Sequence, residues 1–98
     1  MMERITVIGG TAAGVEIAAL AARGGFATCL HDRDAAGLAE AGRLVKERLE
    51  SLDGGPGGKV QVAHQVRVRL EPSLEAAVGD ADFVIEAACD DLAAKRAL

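Results

Sequence analysis

The sequence predicts an α/β fold, an open parallel sheet of about four strands with helices on both faces. Three observations carry that expectation. Arg4-Ile5-Thr6-Val7-Ile8 runs directly into the glycine turn Gly9-Gly10-Thr11-Ala12-Ala13-Gly14 and then into an apolar stretch that reaches Ala22. Short strand-like runs alternate with segments of helical period along the rest of the chain. Several of those runs, such as Ile5–Ile8 and Phe83–Ile85, are apolar at successive positions, as parallel strands covered on both faces are.

Taken in order, Ile5–Ile8 is the first strand. Ala12–Arg23 is small and almost uniformly apolar, which fits a helix pressed closely on a sheet, and Gly24-Gly25 stops it. Phe26–His31 is a second strand ending at Asp32, so this stretch is one right-handed βαβ unit. From Ala35 to about Leu52 the positions Leu38, Ala41, Val45, Leu49 and Leu52 recur at helical spacing, with Arg43, Lys46, Glu47 and Glu50 between them. That is an amphipathic helix, with Asp34 as its N-cap. Gly42 weakens it by about 1 kcal/mol relative to Ala.

The one low-complexity stretch, 53–59, is a flexible glycine-rich loop with no chemistry in it. Beyond it Val60, Val62, Val66, Val68 and Leu70 alternate with polar residues. Val66–Leu70 is expected as an edge strand, and Lys59–Val62 as a hairpin arm or preceding strand. Pro72-Ser73 starts a short helix through Val78, ended by Gly79-Asp80. Asp82–Ala87 reads as a buried strand, and Asp90 or Asp91 opens a last helix.

The chain of 98 residues is expected to form a single domain, with 50% hydrophobic residues but only two aromatics, so its core rests on light side chains. The net charge of −4 supplies no basic field for nucleic acid or an anionic membrane. Glu16 and Arg23 interrupt the most apolar stretch, which argues against a membrane span, and the N-terminus lacks the layout of a signal peptide. Two cysteines, Cys29 and Cys89, are too few for a disulfide framework or a zinc site. They read as buried thiols in a reducing compartment, and the cytoplasm is the expected location.

The first turn places main-chain N–H groups and the positive end of a helix dipole beside a strand end, where a phosphate can sit. Gly9 and Gly14 fill the first and third places of G-x-G-x-x-G, while Thr11 stands in the second, where the backbone approaches a pyrophosphate closely. Asp32, about 20 residues on at the end of the second strand, is where a carboxylate accepts from ribose hydroxyls. A carboxylate there repels a 2′-phosphate, which favours NAD over NADP, with Arg33 partly offsetting the repulsion. A glycine turn used only for tight packing beside an acidic strand end would read the same way. His31 and His64 have no nucleophile at a recognisable spacing, so a catalytic triad is unsupported. Asp80 and Asp82 read as solvated turn residues. Glu86, acidic within an apolar run, either faces a ligand or bonds to backbone.

These residues resemble the N-terminal part of 3-hydroxyacyl-CoA dehydrogenases over nearly the whole chain. Val7-Ile8-Gly9 through Ala19 with Gly24-Gly25-Phe26 carries one part of the likeness, and Leu30 to Asp34 a second. The most specific is Asp80-Ala81-Asp82-Phe83-Val84-Ile85-Glu86-Ala87-Ala88-Cys89-Asp90-Asp91-Leu92 with Lys95. The resemblance implies a partial Rossmann-type sheet, strand order 3-2-1-4, that binds NAD. It implies that Gly9, Gly10, Thr11, Ala12, Ala13 and Gly14 hold the pyrophosphate. Asp32, with Arg33 beside it, would hold the adenosine ribose, and Asp90 and Lys95 would lie on the nicotinamide side. Family members oxidise the 3-hydroxyl of an acyl-CoA by hydride transfer to NAD.

The chain departs from the pattern in places. Thr11 replaces a fingerprint glycine, Asp90 replaces a glutamate, and 53–59 stands where the family has a longer helical hairpin that helps to hold CoA. The sequence ends at Leu98, ahead of the family's catalytic histidine and C-terminal domain, so the chain is expected to be inert alone. The first turn is also similar to that of short-chain dehydrogenases, although Glu16 sits where they need glycine, and to the flavin-binding turn of some disulfide reductases. Neither likeness covers Asp80 to Lys95. The alternative is a non-catalytic module, and in either case homo-oligomers are expected through an uncovered sheet edge.

Overall fold

β-branched and apolar residues at Ile5, Thr6, Val7 and Ile8 favour extended chain, and they form β1 (Arg4–Ile8), one of the two inner strands of a four-stranded parallel sheet. The computed structural model describes residues 3–53 and 68–87. After β1 come α1 (Ala12–Arg23), β2 (Ala27–His31), α2 (Ala35–Leu52), β3 (Val68–Glu71), α3 (Leu74–Gly79) and β4 (Phe83–Glu86). The sheet order is β3-β2-β1-β4, as expected, and every pairing is parallel. Register sets Ile8 between His31 on β2 and Glu86 on β4, so the carboxyl ends of these three strands are level.

The core lies between the sheet and α1 with α2, where Val7, Leu30, Val15, Ala18, Ala19, Leu38, Ala41, Val45 and Leu49 are buried together. The small residues of α1 do what their size suggests. Ala18, Ala19 and Ala22 are fully buried and bring the helix down onto the strands. Gly42 has a packing reason: a Cβ built there would stand 2.5 Å from a methyl of Leu70 on β3. The other face of the sheet carries α3, whose Ala77 carbonyl accepts from the buried hydroxyl of Thr6.

Helix ends follow the sequence. Thr11, Asp34 and Ser73 are the N-caps of α1, α2 and α3, each accepting from the amide three residues on. Among the described residues, no helix is long and apolar enough to cross a membrane.

Two expectations need correction. β4 is not a buried strand: Phe83 and Val84 are 55% and 49% exposed, because among the described residues only β1 lies beside it. Asp80 and Asp82 are not simply solvated. Asp80 pairs with Arg4 and Arg69, and Asp82 accepts from the Arg4 amide, which closes the amino end of the sheet. Asp53 caps α2. The rest of the 53–59 loop, the arm at Lys59–Val62, Val66, His64, Cys89, Asp90, Lys95 and the last helix lie outside the described residues.

Candidate functional site

The first turn closes over the carboxyl end of β1. Gly9 has φ 115°, the left-handed region that favours glycine, and its N–H donates to the His31 carbonyl at 2.7 Å. On the other side of β1 the Ala87 N–H donates to the Ile8 carbonyl, also at 2.7 Å. The chain then folds so tightly that a Cβ on Gly14 would lie 2.0 Å from the Gly9 carbonyl oxygen. No side chain can occupy that position without moving the backbone. The fingerprint's first and third glycines are therefore required by conformation and contact.

The second place is solved differently. Thr11 has φ −75° and ψ 170°, which any residue adopts. Its Oγ1 accepts from the Gly14 N–H at 3.1 Å and donates to the Ala87 carbonyl at 2.7 Å. Among the described residues, the N–H groups of Thr11, Ala12 and Ala13 find no acceptor. Ala12 and Ala13 are exposed. Three unpartnered amides thus stand at the positive end of a twelve-residue helix, where dipole and donors alike favour negative charge.

Asp32 sits beside this turn. Its Oδ2 accepts from the Gly10 N–H at 2.8 Å and its Oδ1 from the Asp34 N–H at 2.9 Å. Burial pushes the carboxyl up, but those two amides, with His31 and Arg33 nearby, outweigh it and hold the group below the ordinary aspartate value. Asp32 is thus an anion at neutral pH, and each oxygen keeps a lone pair for a further donor. Gly10 leaves room for this arrangement: a Cβ on it would meet Ala41 at 3.0 Å and Asp32 Oδ2 at 3.1 Å. Arg33 is exposed beside the acid.

His31 is buried, and its Nδ1–H donates to the Glu71 carbonyl at 2.8 Å, as a packed histidine does. Glu86 is exposed at the carboxyl end of β4. Cys29 is buried in β2, with the Arg69 guanidinium 3.6 Å from its sulfur. Among the described residues, no cluster of His, Cys, Asp and Glu could hold a metal ion.

Some of this geometry was hidden from sequence reasoning. The partners of Thr11 Oγ1 include a carbonyl 76 positions away. The small residues of α2 beneath Gly10, Gly37 and Ala41, read only as helix positions. Glu16, out of place against one glycine pattern, makes a two-pronged ion pair with Arg48 that joins α1 to α2. An acid and an arginine on apolar-spaced helices were the only available signal for it.

A family model described as "3-hydroxyacyl-CoA dehydrogenase, NAD binding domain" matches residues 4–98. The chain belongs to that family. The NAD-binding domain is also similar to the solved 3-hydroxybutyryl-CoA dehydrogenase from Escherichia coli K12, with 30% identity and a TM-score of 0.80. That match covers 99% of this chain and 21% of the other. FadB2 of M. tuberculosis is 25% identical with a TM-score of 0.77, over 96% of this chain and 33% of that one. An NAD+-dependent dehydrogenase described as a dismutase, acting on 5-formyl-3-hydroxy-2-methylpyridine 4-carboxylic acid, is 26% identical with a TM-score of 0.67, over 97% and 30%. The chain thus spans between a fifth and a third of these relatives' lengths. A search of curated proteins gives no significant match.

The residues present fit the family's coenzyme. Three free amides can donate to a diphosphate, no Cβ is admitted at Gly14, and an ionised acid lies on the far side of Gly10.

Proposed function

We propose that this domain holds NAD across the turn between β1 and α1, as the coenzyme-binding part of a 3-hydroxyacyl-CoA dehydrogenase. The observation that carries the reading is the set of three unpartnered amides beside an acid held ionised. The amides of Thr11, Ala12 and Ala13 take the diphosphate, with Gly9, Gly10 and Gly14 shaping the turn. Asp32 accepts from both hydroxyls of the adenosine ribose and discriminates against a 2′-phosphate, with Arg33 outside it. Asp90 and Lys95 act toward the nicotinamide half. Bound NAD supplies a hydride acceptor for the 3-hydroxyl of an acyl-CoA.

The domain alone does not catalyse that transfer. His31 supports this reading, because it is buried and its Nδ1 is committed to the Glu71 carbonyl within the sheet. The setting is cytoplasmic fatty-acid metabolism, with no nucleic acid as partner.

Calorimetric titration tests the proposal. NAD binds, NADP binds at least ten-fold more weakly, and Asp32→Ala abolishes the NAD signal. Equal affinity for the two coenzymes, or an unchanged signal in the variant, removes Asp32 from the site. Incubation with a 3-hydroxyacyl-CoA and NAD yields no NADH from the domain alone.

A second reading, assembly, is favoured by one observation. The outer edge of β4 has no neighbour among the described residues, and it presents Phe83 and Val84 half exposed. Homo-oligomers then form through that edge. Sedimentation at high concentration gives a dimer or larger, and Val84→Lys returns a monomer. A monomer at every concentration ends this reading.

A further inference from the structure

The fingerprint explains why glycine is favoured at the second place of the turn, and it leaves Thr11 as a defect. The geometry points to the opposite. We infer that the Thr11 hydroxyl is a latch that positions the coenzyme turn against the exit of β4, so that threonine here does what glycine cannot.

Oγ1 is used in both directions. Its lone pair caps the Gly14 N–H, and its hydrogen goes to the Ala87 carbonyl. Ala87 is thereby pinned twice, its N–H by Ile8 on β1 and its C=O by Thr11, the N-cap of α1. Along β4 itself, Phe83, Val84 and Glu86 are exposed. The hydroxyl commits Thr11 to this pair of partners and leaves the amides of Thr11, Ala12 and Ala13 for an anion. A glycine at this place would uncap the Gly14 N–H and leave the Ala87 carbonyl without its donor. Thr11 is a positioning residue: it acts through Ala87 and Gly14. Where the inference concerns NAD, it rests on the reading given above.

Two kinds of measurement on the full chain decide it. In hydrogen exchange without ligand, Thr11→Ser keeps Gly14 and Ala87 protected. Thr11→Asp keeps an N-cap acceptor but has no hydroxyl hydrogen, so Gly14 stays protected while Ala87 exchanges about ten-fold faster, the scale of one lost hydrogen bond. Thr11→Val loses both protections. In titrations well below the melting temperature, Thr11→Ser binds NAD within about two-fold of wild type, while Thr11→Val and Thr11→Gly bind about ten-fold more weakly. A cap that served stability alone would lower melting temperature and leave these affinities unchanged. Thr11→Gly binding NAD more tightly than wild type, or Ala87 equally protected in Thr11→Asp, overturns the latch. If wild type binds no NAD, the functional reading falls, and the exchange data still judge the latch.

Discussion

The two flanks of β1 are built from similar residues and end up in different environments. β2 on one side is a short run of mostly apolar residues, Ala27-Thr28-Cys29-Leu30-His31, and four of its five positions are buried. β4 on the other side, Phe83-Val84-Ile85-Glu86, is at least as apolar at its first three positions, pairs with β1 in the same parallel sense, and has three exposed positions. Layers make the difference: α1 and α2 cover the β1–β2 side, where the buried cluster lies. Among the described residues, β4 pairs with β1 alone, and three of its four positions are open to solvent. The glycine turn sits on the seam between these flanks. It takes Asp32 and the His31 carbonyl from the packed side, and the Ala87 peptide from the open one.

If packing holds one flank and the other lies open, core truncation separates them most sharply. Leu49 on α2 is 1% exposed, so Leu49→Ala costs about 3 kcal/mol in urea unfolding, within the range for buried leucines. Val84→Ala on the open flank costs less than about 0.5 kcal/mol, as exposed substitutions do. Equal losses would mean that both flanks share one core.

Gly14→Ala breaks the seam itself. With a Cβ directed 2.0 Å from the Gly9 carbonyl oxygen, the backbone must shift, at about 2 kcal/mol of stability by the scale of overpacking. The three amides would lose their alignment, so NAD binding should be lost even where the variant is folded, as titration beside circular dichroism would show. Retained affinity would place the diphosphate elsewhere.

Most of the packed flank was legible because periodicity and caps are local. Asp34 three residues ahead of Gly37, and Leu38, Ala41, Val45 and Leu49 at helical spacing, need no knowledge of the rest of the chain. The strand order and Asp32's place beside the turn also came through, the order from the family likeness and the acid from its spacing. Burial of β4 was misjudged for a physical reason. An apolar run reports what a strand would tolerate, and only its neighbours determine how much of it is covered. The Thr11 contact was illegible for a similar reason: a motif scores residue type by place, whereas the hydroxyl's second partner is brought near only by the sheet closing. The bonds from Gly10 and Asp34 to Asp32 likewise depend on how the turn bends, which composition does not specify.

The smallest expected effect concerns the acid on the packed side. Asp32 is held below its usual value of 3.8, so its contribution to stability is present above that pH and is lost as pH falls below it, through the lower folded-state value. The carboxyl is partly solvated, which limits the contribution to about a few tenths of a kcal/mol. Glu16 and Glu40 are also lowered, each first by hydrogen bonds from an arginine, but they start from 4.5, so their losses begin at slightly higher pH. Urea midpoints measured between pH 5 and 3 should therefore fall in overlapping steps, and Asp32→Asn should remove only the most acidic part of the fall. The carboxylate stays ionised well above that window, so NAD affinity should be flat from pH 5.5 to 8. A coenzyme affinity that titrates near neutrality would mean that a group other than Asp32 dominates the adenosine side.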